Sequence, residues 1–263
     1  PVAIPGAKPR AILTMLGLHG GSIVPAGTLV ELLWGDDPPR TADKALQTHI
    51  SSLRRTLGDG FVVTEGTGWT LSTTEIDASR YKLAARTGRA AAAAGDTGQA
   101  MARLEEALAL WRGIPELPDT ARGAAEKTRW VEGYAALVED RADALLATGR
   151  AAEIVGELEA AVAEAPLRER RWGQLMLALY RAGRQGEALG AYQRARSLLA
   201  DELGVDPGPD LRRLEAAIVA QDTALEIPAA QQFPTVMRAV TFLLTDIEGS
   251  TAAWEAEADA MAV

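Results

Sequence analysis

A mainly α-helical chain in two parts is predicted from three observations. The first 74 residues carry three apolar patterns at helical spacing, followed by two β-prone runs around a Gly-containing turn. From Tyr81 to Leu225 the pattern is helical, rich in Ala, Leu, Glu and Arg. Within that stretch the helix-breaking signals recur, and Gly149-Arg150-Ala151-Ala152-Glu153 returns as Gly183-Arg184-Gln185-Gly186-Glu187 at an offset of 34 residues.

Taken in order, a short extended segment leads into a helix over Lys8 to Gly20. Pro9 falls in its first turn, Ile12, Leu13 and Leu16 form its apolar stripe, and Gly20-Gly21 stops it. A second helix, Pro25 to Gly35, groups Leu29, Leu32 and Leu33 and ends before Asp36-Asp37-Pro38-Pro39 forces a loop. Thr41 is placed to cap the third helix, Thr41 to Leu57. Phe61 to Thr64 and Trp69 to Leu71 then form a hairpin about Glu65-Gly66-Thr67-Gly68. Three helices followed by a hairpin is the winged helix-turn-helix arrangement, in which the third helix enters the DNA major groove and the wing reaches the adjacent backbone.

The third helix has two chemically opposite sides. At 100° per residue Leu46, Ile50, Leu53 and Leu57 share one side. Lys44, Thr48, Ser51 and Arg55 line the other, flanked by Gln47 and Arg54. Arg can fork onto guanine O6/N7, Gln onto adenine N6/N7, and Ser, Thr and Lys reach phosphates or base edges. A polar helix face with two arginines is more often simply a solvated surface; the hairpin that follows it raises the DNA reading. The net charge of −9 opposes DNA binding as a whole-molecule field. Its distribution does not, because Arg40, Lys44, Arg54 and Arg55 stand against Asp43 alone between residues 40 and 55.

The 34-residue period is that of tetratricopeptide helix pairs, which stack because no single pair buries its own apolar face. An earlier copy begins at Gly95-Asp96 with Ala100, Leu104, Ala107 and Trp111, and has extra residues before the next. Arg168, Glu169, Arg170, Arg171 and Trp172 are suited to an ion-pair network between repeats. Ile227 to Pro234 reads as linker, and residues 226–237 are taken as such. Beyond it, a β-prone run ends at Asp246, and Gly249-Ser250-Thr251 opens a helix, a combination suited to a metal and a phosphate. His19 and His49 are read as a helix-end and a core-edge residue, not as metal ligands. Cysteine is absent, which removes disulfides and thiolate sites and fits a reducing cytoplasm. No apolar run of membrane-spanning length and no signal peptide are read, so no membrane partner is expected; the start at Pro1 suggests a fragment.

KPRAILTMLGLHG, VELLWGDDPP, ALQTHISSLRRTLGDG and GWTL resemble the OmpR-type DNA-binding domain of the antibiotic-regulatory (SARP) activators. The strands that usually precede its first helix are mostly missing here, and His49 and Trp69 stand where Tyr is common. WRGIPELPD and the long block from Ala163 to Glu215 resemble the bacterial transcriptional activation domain that accompanies it. The resemblance implies a winged helix over 1–74 and a tetratricopeptide-like domain over 77–225. It also implies double-stranded promoter DNA and RNA polymerase as partners, homodimerisation, and no cofactor or catalysis. It makes Asp36, Asp37 and Arg40 candidates for touching polymerase. VTFLLTDIEGSTAAWE resembles the opening of class III nucleotidyl cyclase domains over 238–263. That implies a metal at Asp246 and a backbone carbonyl from Ile247 only if the domain were complete, so the chain is expected not to be an enzyme. The readings to weigh are therefore a sequence-specific activator, the regulatory half of a cyclase with the winged helix as a sensing module, and a plain helical scaffold. The scaffold leaves the polar face from Lys44 to Arg55 unexplained.

Overall fold

The computed structural model describes residues 2–73 and 75–226; the linker from Ile227 and the cyclase-like segment with Asp246 lie outside them. In the N-terminal part α1 spans Ala7–His19, β1 Val24–Pro25, α2 Ala26–Trp34, α3 Ala42–Leu57, β2 Val62–Glu65 and β3 Gly68–Leu71. Ile12, Met15 and Leu16 of α1, Leu29 and Leu32 of α2, and Leu46, Ile50 and Leu53 of α3 bury against Val62, Trp69 and Leu71 in one core. Gly20, at φ 45°, closes α1 by donating its N–H to the carbonyls of Leu16 and Gly17.

The hairpin β2–β3 pairs Val62 with Leu71 and Glu65 with Gly68, leaving Gly66 and Thr67 as the turn. Two details depart from the sequence expectation. A third strand, β1, adds antiparallel to β3 through Val24 and Trp69. Two residues carry no readable period, and Pro25 is tolerated there because β1 is an edge strand. Thr41 occupies the N-cap position of α3, yet its side chain makes no capping bond. The start is organised by backbone instead: Ala42 donates to Pro39 O at 2.8 Å, and Thr41 O accepts from Ala45 N at 2.9 Å.

The remaining elements are all helical: α4 Asp77–Ala93, α5 Thr97–Ala109, α6 Ala121–Ala147, α7 Ala151–Glu164, α8 Glu169–Arg181, α9 Gln185–Leu203, α10 Pro209–Ala220 and a 3-10 turn Thr223–Leu225. One device repeats. Gly95, Gly149 and Gly183 take φ of 79°, 81° and 76° just past α4, α6 and α8. The residue after each donates its N–H to the carbonyl five positions back: Asp96 to Ala91, Arg150 to Leu145, Arg184 to Leu179. This is the Schellman closure that a left-handed glycine permits. It turns the chain into α5, α7 and α9. The spacing between the first two copies is stretched because α6 is 27 residues long and the α5–α6 connection, residues 110–120, is long as well.

Leu145, Ile154, Leu158, Trp172, Leu175, Met176 and Leu179 fill the larger helical core. Under them, Glu139 on α6 is 3% exposed and receives Arg168, Arg170 and Arg171 from the start of α8. Arg168, Arg170 and Arg171 thus form the ion-pair network between helix pairs, whereas Glu169 accepts the Gly208 N–H at 2.6 Å instead. Trp172 itself donates its indole N–H to Pro166 O at 2.8 Å.

The winged helix and the helical repeats belong to one compact unit. Leu117, from the α5–α6 loop, is buried in the winged-helix core. Thr120 accepts the Gly123 N–H at 3.1 Å as N-cap of α6 and donates its hydroxyl to Leu32 O at 3.0 Å, near the end of α2. Arg122 pairs with Glu31 alongside, at 2.8 Å. Thr120→Ala deletes both bonds of the hydroxyl. A loss of about 1 kcal/mol is expected for the cap, read as a lower urea midpoint at unchanged m value, with Thr120→Ser restoring it.

Candidate nucleic-acid interface

On α3 the buried row Leu46, Ile50 and Leu53 is at most 1% exposed, so the helix is held rigidly from behind. Its opposite face presents Lys44, Gln47, Thr48, Ser51 and Arg55, all exposed. Lys44, Thr48, Ser51 and Arg55 follow one another at helical spacing and make a single stripe; Gln47 stands beside it. With 16 residues α3 is about 24 Å long, enough to lie along a major groove. Neither Lys44 nor Arg55 forms an ion pair among the described residues, which leaves both charges available. Thr48 turns its hydroxyl proton back to Lys44 O at 2.9 Å, so toward a ligand it offers a methyl and an acceptor.

Arg54 is placed differently from the free, DNA-facing side chain that the helical wheel suggests. It is half-buried, with Nε donating to Val62 O at 2.8 Å and Nη2 to Thr64 Oγ1 at 2.7 Å. The guanidinium therefore ties α3 to β2. This matters because the wing, Val62 to Leu71, contains no Lys or Arg and carries Glu65 near its tip. Arg54 supplies the positive charge at the base of an otherwise uncharged or acidic wing, and retains N–H groups beyond the two that are engaged. Nothing local in the sequence signals this, since the partner lies across a chain turn.

Asp36, Asp37 and Arg40 are exposed in the loop between α2 and α3, immediately ahead of the stripe. His49 sits at the edge of the core, where burial first and the charge of Lys8 second lower its pKa, favouring the neutral ring. Lys8 in turn lies 4.5 Å from the Trp34 ring centroid, a cation–π contact that braces α1 on α2. His19 makes its hydrogen bond to Met15 O within the last turn of α1. Among the described residues no group of three His, Asp or Glu side chains is arranged to hold a metal, and none of the helices is long and apolar enough to cross a membrane.

The arrangement is matched by known proteins. The sequence profile of the C-terminal domain of transcriptional regulatory proteins matches residues 5–70, and that of the bacterial transcriptional activator domain matches residues 76–219. The regulatory protein AfsR of Streptomyces griseus is 41% identical over 229 residues, covering 86% of this chain and 23% of AfsR. The regulatory protein DnrI of Streptomyces peucetius is 34% identical over 247 residues, covering 85% of this chain and 89% of DnrI. A solved structure of Mycobacterium tuberculosis EmbR in complex with a low-affinity phosphopeptide superposes with a TM-score of 0.77 at 37% identity, covering 84% of this chain and 61% of EmbR. The chain thus spans under a quarter of AfsR and most of DnrI. With a winged helix and an activator-domain array joined in the same order as in these regulators, the chain belongs to the SARP family of transcriptional regulators.

Proposed function

We propose that the chain is a sequence-specific DNA-binding transcriptional activator, acting in the cytoplasm without catalysis. Residues 1–74 read promoter DNA, residues 77–225 hold that reader and pair two copies, and residues 226–237 serve as a linker. Lys44, Gln47, Thr48, Ser51 and Arg55 face the major groove. Arg55 and Gln47 supply bidentate base contacts, while Lys44, Thr48 and Ser51 set register on phosphates or base edges. Arg54 positions the wing against the flanking backbone. Asp36, Asp37 and Arg40, exposed beside the groove-reading helix, are offered to RNA polymerase. A homodimer reads repeated half-sites spaced by about one helical turn, 10–10.5 bp. The observation that carries this reading is the exposed stripe on α3, whose Lys44 and Arg55 form no ion pair among the described residues of a chain of net charge −9, backed by a fully buried apolar row.

Selection of genomic fragments by the purified chain at two salt concentrations tests it. The expected result is a shared repeat that survives the higher salt, because base contacts persist when counterion release is weakened. Uniform capture that salt abolishes, or none, overturns the reading.

A further inference from the structure

A cleft of about 290 Å³ lies where the C-terminal end of α1 meets α4 and α6, so that one wall comes from the winged helix and the others from the helical repeats. Its lining is part apolar, with Leu18, Ala85 and the Trp130 ring, and part charged, with Lys82, Arg89, Arg129 and Glu126. Most of these charges are already paired. Arg129 takes Glu126, itself 5% exposed, at 3.1 Å, and Arg89 takes Asp140. Lys82 is left over. Its ammonium donates to the Leu18 carbonyl and has no ion-pair partner among the described residues. Partial burial lowers its pKa, against the attraction of the Glu126 carboxylate in the same wall.

A second polar group is unsatisfied at the same place. Tyr81 lines the cleft and is 5% exposed, and its hydroxyl is buried without a hydrogen-bond partner. Desolvation raises the phenol to a pKa of about 12, so at neutral pH it is a donor. Buried donors without acceptors are uncommon in folded proteins and costly to leave so.

We propose that this cleft is a binding site for a small organic monocarboxylate. The Lys82 ammonium, without an ion-pair partner among the described residues, calls for one negative charge, and the unpaired Tyr81 hydroxyl, buried in the same wall, is a donor that an entering oxygen can satisfy. Trp130, Leu18 and Ala85 take an apolar body. The volume lies at the lower limit of small-molecule pockets, which restricts the body to about one ring or a short alkyl chain. Because Leu18 and His19 belong to α1 and the other lining residues to α4 and α6, a bound carboxylate touches both the DNA-reading part and the repeats.

Ligand-observed NMR on the full chain with benzoate, phenylacetate, 3-phenylpropionate and hexanoate, each beside its neutral amide, tests the site. At least one acid is expected to bind with a Kd of about 0.1–1 mM, and its amide at least tenfold more weakly. Lys82→Met, which keeps the stem and removes the charge, is expected to cost about tenfold or more. Tyr81→Phe, a deletion of one oxygen, is expected to weaken binding several-fold and gives the same test should Lys82→Met fail to fold. Absence of binding by all four acids up to about 10 mM overturns the proposal. So does equal binding of acids and amides, or wild-type affinity in folded variants.

Discussion

Glu139→Ala is expected to lower the unfolding free energy by about 3–5 kcal/mol, the cost of removing one partner from a buried ion pair. Glu139 is 3% exposed, and its two oxygens serve Arg168 Nε at 2.5 Å, Arg170 Nη1 at 3.5 Å and Arg171 Nε at 3.3 Å. The three arginines lose unequally. Arg168 keeps Glu132, and Arg170 keeps Asp140 and Asp143, all within 2.7 Å. Arg171, 4% exposed, is left with the Ala161 carbonyl and Glu164, whose side chain is 78% exposed. The variant therefore strands a guanidinium in the interior, and that desolvated charge dominates the loss. Glu139→Gln keeps the shape and the acceptor oxygen, so it is expected to cost less, while the bond from Gln174 to the Glu139 backbone survives both changes. Urea unfolding at constant m value measures the difference. A loss below about 1 kcal/mol for Glu139→Ala would place the network among exposed ion pairs and remove it as the fastener of α6 on α8.

The elements that could be read from sequence are those whose signals are local. Glycines at 95, 149 and 183 end helices because a left-handed residue suits the closure, and that preference acts within six residues of chain. The apolar row of α3 was legible for the same reason, its period being a property of one helix. Contacts made across the fold left no such trace. Leu117 reads as part of a Pro-containing break, yet it is buried in the core of the winged helix. Glu126 and Glu139 look like any other carboxylates on an Ala- and Glu-rich helix, and only tertiary packing singles them out as buried. The candidate site divides along the same line. Lys44, Gln47, Thr48, Ser51 and Arg55 fall on the expected face, since a helical wheel fixes where Cβ atoms point. Arg54 lies near the margin of that wheel, and its direction is decided by the carbonyl of Val62 and the hydroxyl of Thr64 on the wing.

That division separates the expected behaviour of the two adjacent arginines on DNA. Arg55→Ala and Gln47→Ala are each expected to lose about 1–3 kcal/mol on the selected repeat, the worth of one bidentate base contact, and little on random duplex. The two positions are eight residues apart, about 12 Å along the helix, so their losses should add. The double variant would then lose about 2–6 kcal/mol, a large share of the gap of roughly 4–10 kcal/mol that separates specific from non-specific binding. Arg54→Lys should behave otherwise. Lysine keeps the charge but cannot fork between Val62 O and Thr64 Oγ1, so the wing loses its brace while α3 keeps its base-reading face. Affinity is expected to fall on all sequences alike, with the preferred repeat unchanged. Fluorescence anisotropy on the selected repeat and on a scrambled duplex, across a salt series, distinguishes these patterns. If Arg55→Ala weakens both duplexes equally, Arg55 is a phosphate contact and specificity resides elsewhere on α3. If Arg54→Lys binds as wild type, the wing takes no hold on the backbone, and an acidic wing tip at Glu65 leaves α3 alone to account for affinity.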